Sequence, residues 1–116
     1  MSSIKSLPKI GVDIVFIPRF KKILEERNEK FLSRVFQPSE LKQMSVESLA
    51  GVFAAKEAVI KALSLPPESW LSIEISHDVN GAPLINLIER TYKKKSHLRL
   101  SMSHEKDYVV AVVLAS

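Results

Sequence analysis

The sequence predicts an α+β protein in which helices pack on a mostly antiparallel sheet, and three observations carry that expectation. After one short β-branched run, apolar residues in the first half recur at helical spacing. From residue 71 onward they alternate with a period of two. Between two such alternating runs stands Asn80-Gly81, a strong hairpin signal. A chain of 116 residues is expected to form one domain spanning residues 1–116, large enough for a real core.

Ile10 to Val15 is apolar and β-branched, so it reads as a buried strand interrupted by one acid, Asp13. Pro18 suits the first turn of a helix, where its missing N–H does no harm. Phe20, Ile23 and Leu24 carry that helix to about Lys30, and Phe31, Leu32, Val35 and Phe36 suggest a further short turn. Pro38 ends that turn, and Ser39-Glu40 can start the next segment. The main helix is expected from about Val46 to Leu63, where Pro66-Pro67 prevents its continuation. Leu71, Ile73 and Ile75 then alternate with polar residues as a half-buried strand, and Pro83 to Ile88 returns antiparallel to it. Residues 89–97 read as a polar connection with at most a turn or two of helix. Leu98, Leu100 and Met102 alternate again, and Tyr108 to Ala115 is nearly continuous in apolar residues, as the centre of a sheet requires.

There is no cysteine, which removes disulfides and thiolate metal sites and fits a reducing cytoplasm. The first residues lack the apolar stretch of a signal peptide, and no apolar run approaches membrane-spanning length. A cytoplasmic protein with no membrane partner is expected. Seventeen basic against thirteen acidic residues give a net charge of +4, which favours anionic partners. The basic residues cluster at 19–34 and at Lys93-Lys94-Lys95, although such runs are often only solvated faces.

The segment FAAKEAVIKAL, residues 53–63, raises the question of chemistry, because three charges stand in an otherwise apolar helix. A buried ion is costly unless it is paired or holds a metal or ligand. If this helix packs on the strand that holds Asp13, two carboxylates converge, Asp13 and Glu57. Oxygen ligands without cysteine favour a hard cation, Mg²⁺ or Mn²⁺. The alternative is a capping role for Asp13 and a solvated Glu57. Lys61 follows Glu57 by four residues and shares its face. It can form an ordinary helix ion pair or neutralise a departing phosphate. Lys56 lies about 100° round the helix from Glu57 and is expected to meet a phosphate from the rim. Ser103-His104 closes a strand, where a lone histidine is more often a satisfied polar group than a catalyst. Neither GxGxxG nor GxxxxGK[ST] occurs, so the dinucleotide fingerprint and the P-loop are absent.

Three segments in this order, IGVDIVFIPRF, FAAKEAVIKAL and SMSHEKDYVVAVVLA, closely resemble the holo-[acyl-carrier-protein] synthase family, the short 4′-phosphopantetheinyl transferases. The family pattern is filled by Gly11-Val12-Asp13, by Phe53 through Ala62 and by Ser101 through Ala111, and NGAP at residues 80–83 matches the family's usual turn. The resemblance implies the phosphopantetheinyl transferase fold, commonly as a homotrimer with an active site at each subunit interface. It implies transfer of the phosphopantetheine arm of coenzyme A to a serine of apo acyl carrier protein, releasing 3′,5′-ADP. By the same resemblance Asp13 and Glu57 hold Mg²⁺, Glu57 helps remove the serine proton, and Lys61 stabilises or protonates the leaving phosphate. Phe53, Lys56, Lys61, Ser103 and His104 are assigned to coenzyme A, with His104 often supplied by a neighbouring subunit. The basic helix after Asp13, through Arg19, Lys22 and Arg27, would dock the acidic carrier protein.

Two departures stand out. Ser64-Leu65-Pro66-Pro67 occupies the place of the family's glycine-containing turn, and Val52 stands where many members have arginine. A scaffold of the same fold that no longer holds coenzyme A is therefore a rival reading. A small basic nucleic-acid-binding module is another, but it calls for aromatic residues on an exposed sheet face, and the strands here are rich in Val, Ile and Leu.

Overall fold

The computed structural model describes residues 7–42, 45–88 and 97–116. Strand β1 (Lys9–Phe16) leads directly into helix α1 (Ile17–Val35), and the short helix α2 (Pro38–Leu41) follows. Helix α3 (Val46–Leu63) is the central element. After it come β2 (Ile73–His77), β3 (Pro83–Leu87), β4 (Leu98–Glu105) and β5 (Tyr108–Ala115). All strand pairs are antiparallel, as expected, but they form two sheets: β1-β5-β4, and the separate hairpin β2-β3.

The expected break near Lys30 does not occur. Phe31, Leu32 and Val35 extend α1 as one helix to Val35, because their spacing continues the apolar stripe that packs on α3. The helix ends where Pro38 approaches, Phe36 and Gln37 being extended before it. Helix α3 has the bounds its periodicity predicts. The Ser45 hydroxyl accepts from the Ser48 N–H at its start. Trp70–Ser72 forms a 3₁₀ turn, so strand β2 begins only at Ile73. The hairpin turn holds Gly81 at φ +84°, and Asp78 Oδ1 accepts from the N–H groups of Asn80 and Ala82. The connection expected at residues 89–97 falls almost entirely outside the described residues.

β5 is the central strand of its sheet, and α3 lies across one face of it. Val109, Ala111, Val113 and Ala115 point toward the helix and are buried with Val15 and Ile17. Ala54, Ala55, Ala58 and Ala62 on α3 keep the layers close. Among the described residues nothing covers the β1 side of the other face: Ile10 is 65% exposed, Ile14 61% and Val12 51%.

Candidate active site

The pleat of β1 turns Gly11, Asp13 and Val15 toward α3 and Ile10, Val12 and Ile14 away from it. Gly11 sets how near the helix comes. A methyl group there would lie 2.0 Å from the carbonyl oxygen of Ala58 and 2.7 Å from the nitrogen of Ala62. No L side chain fits, so the helix backbone rests directly on the strand. That approach brings Lys61 within reach of β1. Its ammonium donates to the Val12 carbonyl at 2.9 Å and to Asp13 Oδ1 at 3.1 Å. The Asp13 side chain is only 17% exposed and Lys61 56%, so the carboxylate is the more buried partner and the ammonium reaches solvent.

Glu57 projects one turn before Lys61, half-buried between α3 and the 3₁₀ turn. Trp70 Nε1 donates to its Oε2 at 3.3 Å. Burial pushes the Glu57 carboxyl above its ordinary range. The Trp70 hydrogen bond pulls it back, and the negative charges of Asp13 and Glu68 raise it against the pull of Lys61. Asp13 and Lys61 are thus paired, and Glu57 lies near enough to feel both charges. Two carboxylates that repel each other in a partly desolvated floor suit a hard divalent cation. Mg²⁺ asks for one or two protein carboxylates and takes its other ligands from water and phosphate. Among the described residues no third histidine, aspartate or glutamate joins them as a ligand set.

Lys56 is placed otherwise than expected. It has no contact with solvent and meets no rim phosphate. Its ammonium donates to the Val35 carbonyl and to Glu40 Oε1, both at 2.6 Å, and lies 5.6 Å from the centre of the Phe36 ring. Desolvation lowers its pKa, and the Glu40 carboxylate opposes that shift. Glu40 also accepts from the N–H groups of Gln37 and Ile75. The step of about 100° from Glu57 to Lys56 points the lysine into the core.

Phe53 is half-buried in a row of rings, 5.5 Å from Phe20, 6.1 Å from Phe31 and 5.9 Å from Trp70 between centroids. Ser103 and His104 fall on opposite faces of β4. Ser103 pairs with Val110 on the uncovered face, and His104 pairs with Val109 on the helix side. There His104 Nε2 is 3.7 Å from where a Gly51 methyl would be, beside a cavity of about 230 Å³ that His77, Val52 and Met102 also line. β5 separates β4 from β1, so the pairing register puts the Cα atoms of His104 and Asp13 about 12 Å apart. A single chain does not bring His104 to the two carboxylates.

Arg19, Lys22 and Arg27 are exposed on α1. The Arg19 guanidinium lies 5.7 Å over the Phe16 ring, and Arg27, Lys30 and Arg34 border a shallow groove floored by Phe31. In the loop after α3, Ser64 takes the left-handed conformation that glycine would fill, at φ +53°, and Leu65 is buried. Glu68, also left-handed, is tied to Arg34 at 2.6 Å.

Sequence reasoning overlooks Glu40, Trp70 and the packing role of Gly11. A buried lysine's need for an acceptor is the signal for Glu40. The lone tryptophan behind a proline stop is the weaker signal for Trp70.

The family model described as the 4′-phosphopantetheinyl transferase superfamily matches residues 9–113. A holo-[acyl-carrier-protein] synthase of Dehalococcoides mccartyi strain CBDB1 is 42% identical over 113 residues, which is 90% of this chain and 95% of the relative. The crystal structure of the Helicobacter pylori holo-[acyl-carrier-protein] synthase in complex with coenzyme A superposes with a TM-score of 0.84 at 39% identity, covering 92% of this chain and 99% of that one. The Bacillus anthracis enzyme in complex with CoA (3′,5′-ADP) gives 0.80 at 32% identity, covering 95% and 97%.

Proposed function

Because the chain belongs to the 4′-phosphopantetheinyl transferase superfamily, and within it to the holo-[acyl-carrier-protein] synthases, we propose that it performs their transfer with Asp13, Glu57 and Lys61. The phosphopantetheine arm of coenzyme A passes to a serine hydroxyl of apo acyl carrier protein, and 3′,5′-ADP leaves. The observation that carries this reading is the grouping of two carboxylates and the Lys61 ammonium at the contact of β1 with α3.

Asp13 and Glu57 would hold Mg²⁺, or Mn²⁺, which would supply charge neutralisation for the diphosphate of coenzyme A. In the structure Lys61 neutralises Asp13. Its half-exposed ammonium can meet the bridging oxygen as that oxygen departs. The Glu57 carboxylate, directly or through a water, takes the serine proton. The serine oxygen bonds to phosphorus, the P–O bond to the bridging oxygen breaks, and the electron pair leaves with 3′,5′-ADP.

His104 completes the nucleotide site from a neighbouring copy, and the protein acts as a homotrimer. The uncovered apolar face of the β1-β5-β4 sheet, with Ile10, Val12, Ile14 and Leu114 exposed, supports that assembly. Arg19, Lys22 and Arg27 dock the acidic carrier protein, and Phe53 borders the coenzyme A cleft.

The test is mass spectrometry of apo acyl carrier protein incubated with this protein, coenzyme A and Mg²⁺. A mass gain of one phosphopantetheine, abolished by EDTA, is expected. No gain on a panel of carrier proteins that a known transferase modifies would favour the inactive scaffold.

A further inference from the structure

Glu57 is a long side chain with three rotatable bonds, and something must fix its carboxylate if it is to share a cation with Asp13. Lys61, its neighbour one turn on, is committed to Asp13 and the Val12 carbonyl. The donor that reaches Glu57 comes from outside the helix, the indole N–H of Trp70 on Oε2. Among the described residues Oε1 has no hydrogen-bond partner. Trp70 is itself held. Its ring packs on Phe53, which packs on Phe20 and Phe31 of α1. Its 3₁₀ turn is tied down by the Ser72 N–H to the Ser69 carbonyl and by Gln37 Nε2 to the Leu71 carbonyl.

We propose that Trp70 is a positioning residue that holds Glu57 Oε2 and so aims Oε1 at the cation shared with Asp13. The inference rests on the metal site of the reading above. Two carboxylates are thereby fixed by two different donors, Asp13 by Lys61 and Glu57 by Trp70. Without the indole N–H, no hydrogen bond among the described residues holds the Glu57 carboxylate, and its three rotatable bonds leave it free to turn toward solvent. Phe53 acts one step further back, as the surface against which the indole is stacked.

The test is Mn²⁺ binding to the full chain with coenzyme A present, followed by the EPR signal of free Mn²⁺. Trp70→Phe keeps a ring against Phe53 and removes the N–H together with part of the indole's area. Its Mn²⁺ Kd is expected to rise about 10-fold, as loss of an outer-sphere partner does, with coenzyme A affinity in the absence of metal unchanged. A merely structural role would lower the melting temperature and leave the Mn²⁺ Kd alone, and that result overturns the proposal. Trp70 is the single tryptophan of the chain, so a second measurement needs no variant at Trp70. Bound Mn²⁺ is expected to quench its fluorescence saturably in the wild type and not in Glu57→Gln. Mn²⁺ bound without quenching overturns the inference alone. No Mn²⁺ bound by the wild type overturns the metal site and the inference together.

Discussion

Lys56 and Glu57 are neighbours in sequence, yet one ammonium is sealed in the core and one carboxylate opens to the cleft. Lys56 joins the end of α1, through the Val35 carbonyl, to Glu40 of α2, and Glu40 joins β2 through the Ile75 N–H. Removing one partner from such a pair leaves an uncompensated buried charge. Lys56→Met should therefore cost about 3–5 kcal/mol in urea unfolding. Adding Glu40→Gln should return part of that loss, since the amide oxygen can still accept while the charge is gone. An unchanged unfolding midpoint in Lys56→Met would show that the pair is not buried as described. The residue types in FAAKEAVIKAL show that its charges need an explanation, but spacing alone does not say which of them faces the core. That depends on where α1 and α2 end, which no local pattern in α3 records.

The element that makes the site is the contact of α3 with β1, and Gly11 is its closest point. Gly11→Ala inserts a methyl where the Ala58 carbonyl stands, so strand and helix must part. Overpacking of this kind costs about 1–3 kcal/mol. A displacement of about 1 Å at a reacting centre can cost about 100-fold in rate. We expect Gly11→Ala to remain folded in circular dichroism and to lose turnover by about that factor. Full turnover would mean that Lys61 and Asp13 do not depend on this approach. Most elements were legible beforehand: the bounds of α3, the central place of β5 and the hairpin at Asn80-Gly81 follow from periodicity and turn chemistry. Two features were not. The 3₁₀ turn at Trp70–Ser72 is fixed by the bonds to Gln37 and Ser69, and the division into two sheets depends on packing between distant segments.

At the scale of the molecule, one face of the three-stranded sheet has no cover among the described residues, and His104 lies across β5 from Asp13. Both features fit a site completed by another copy. Ile14→Lys puts a charge on the uncovered face and leaves the side chains of Asp13 and Lys61 on the other. Sedimentation should show the assembly broken into single chains with activity lost, whereas a wild type that sediments as a monomer would contradict the homotrimer. The three motifs that carry the family resemblance single out Asp13, Glu57 and Lys61, the residues of the proposed site, in the sequence. The division of the site between faces of β4 is not, because pleat and register decide it. The central claim is that Glu57 takes part in phosphopantetheine transfer, and its most direct test is the initial rate of carrier-protein modification by Glu57→Gln. The account predicts a folded protein with nearly all turnover lost at saturating Mg²⁺ and coenzyme A. A folded Glu57→Gln that modifies the carrier protein at the wild-type rate would contradict it.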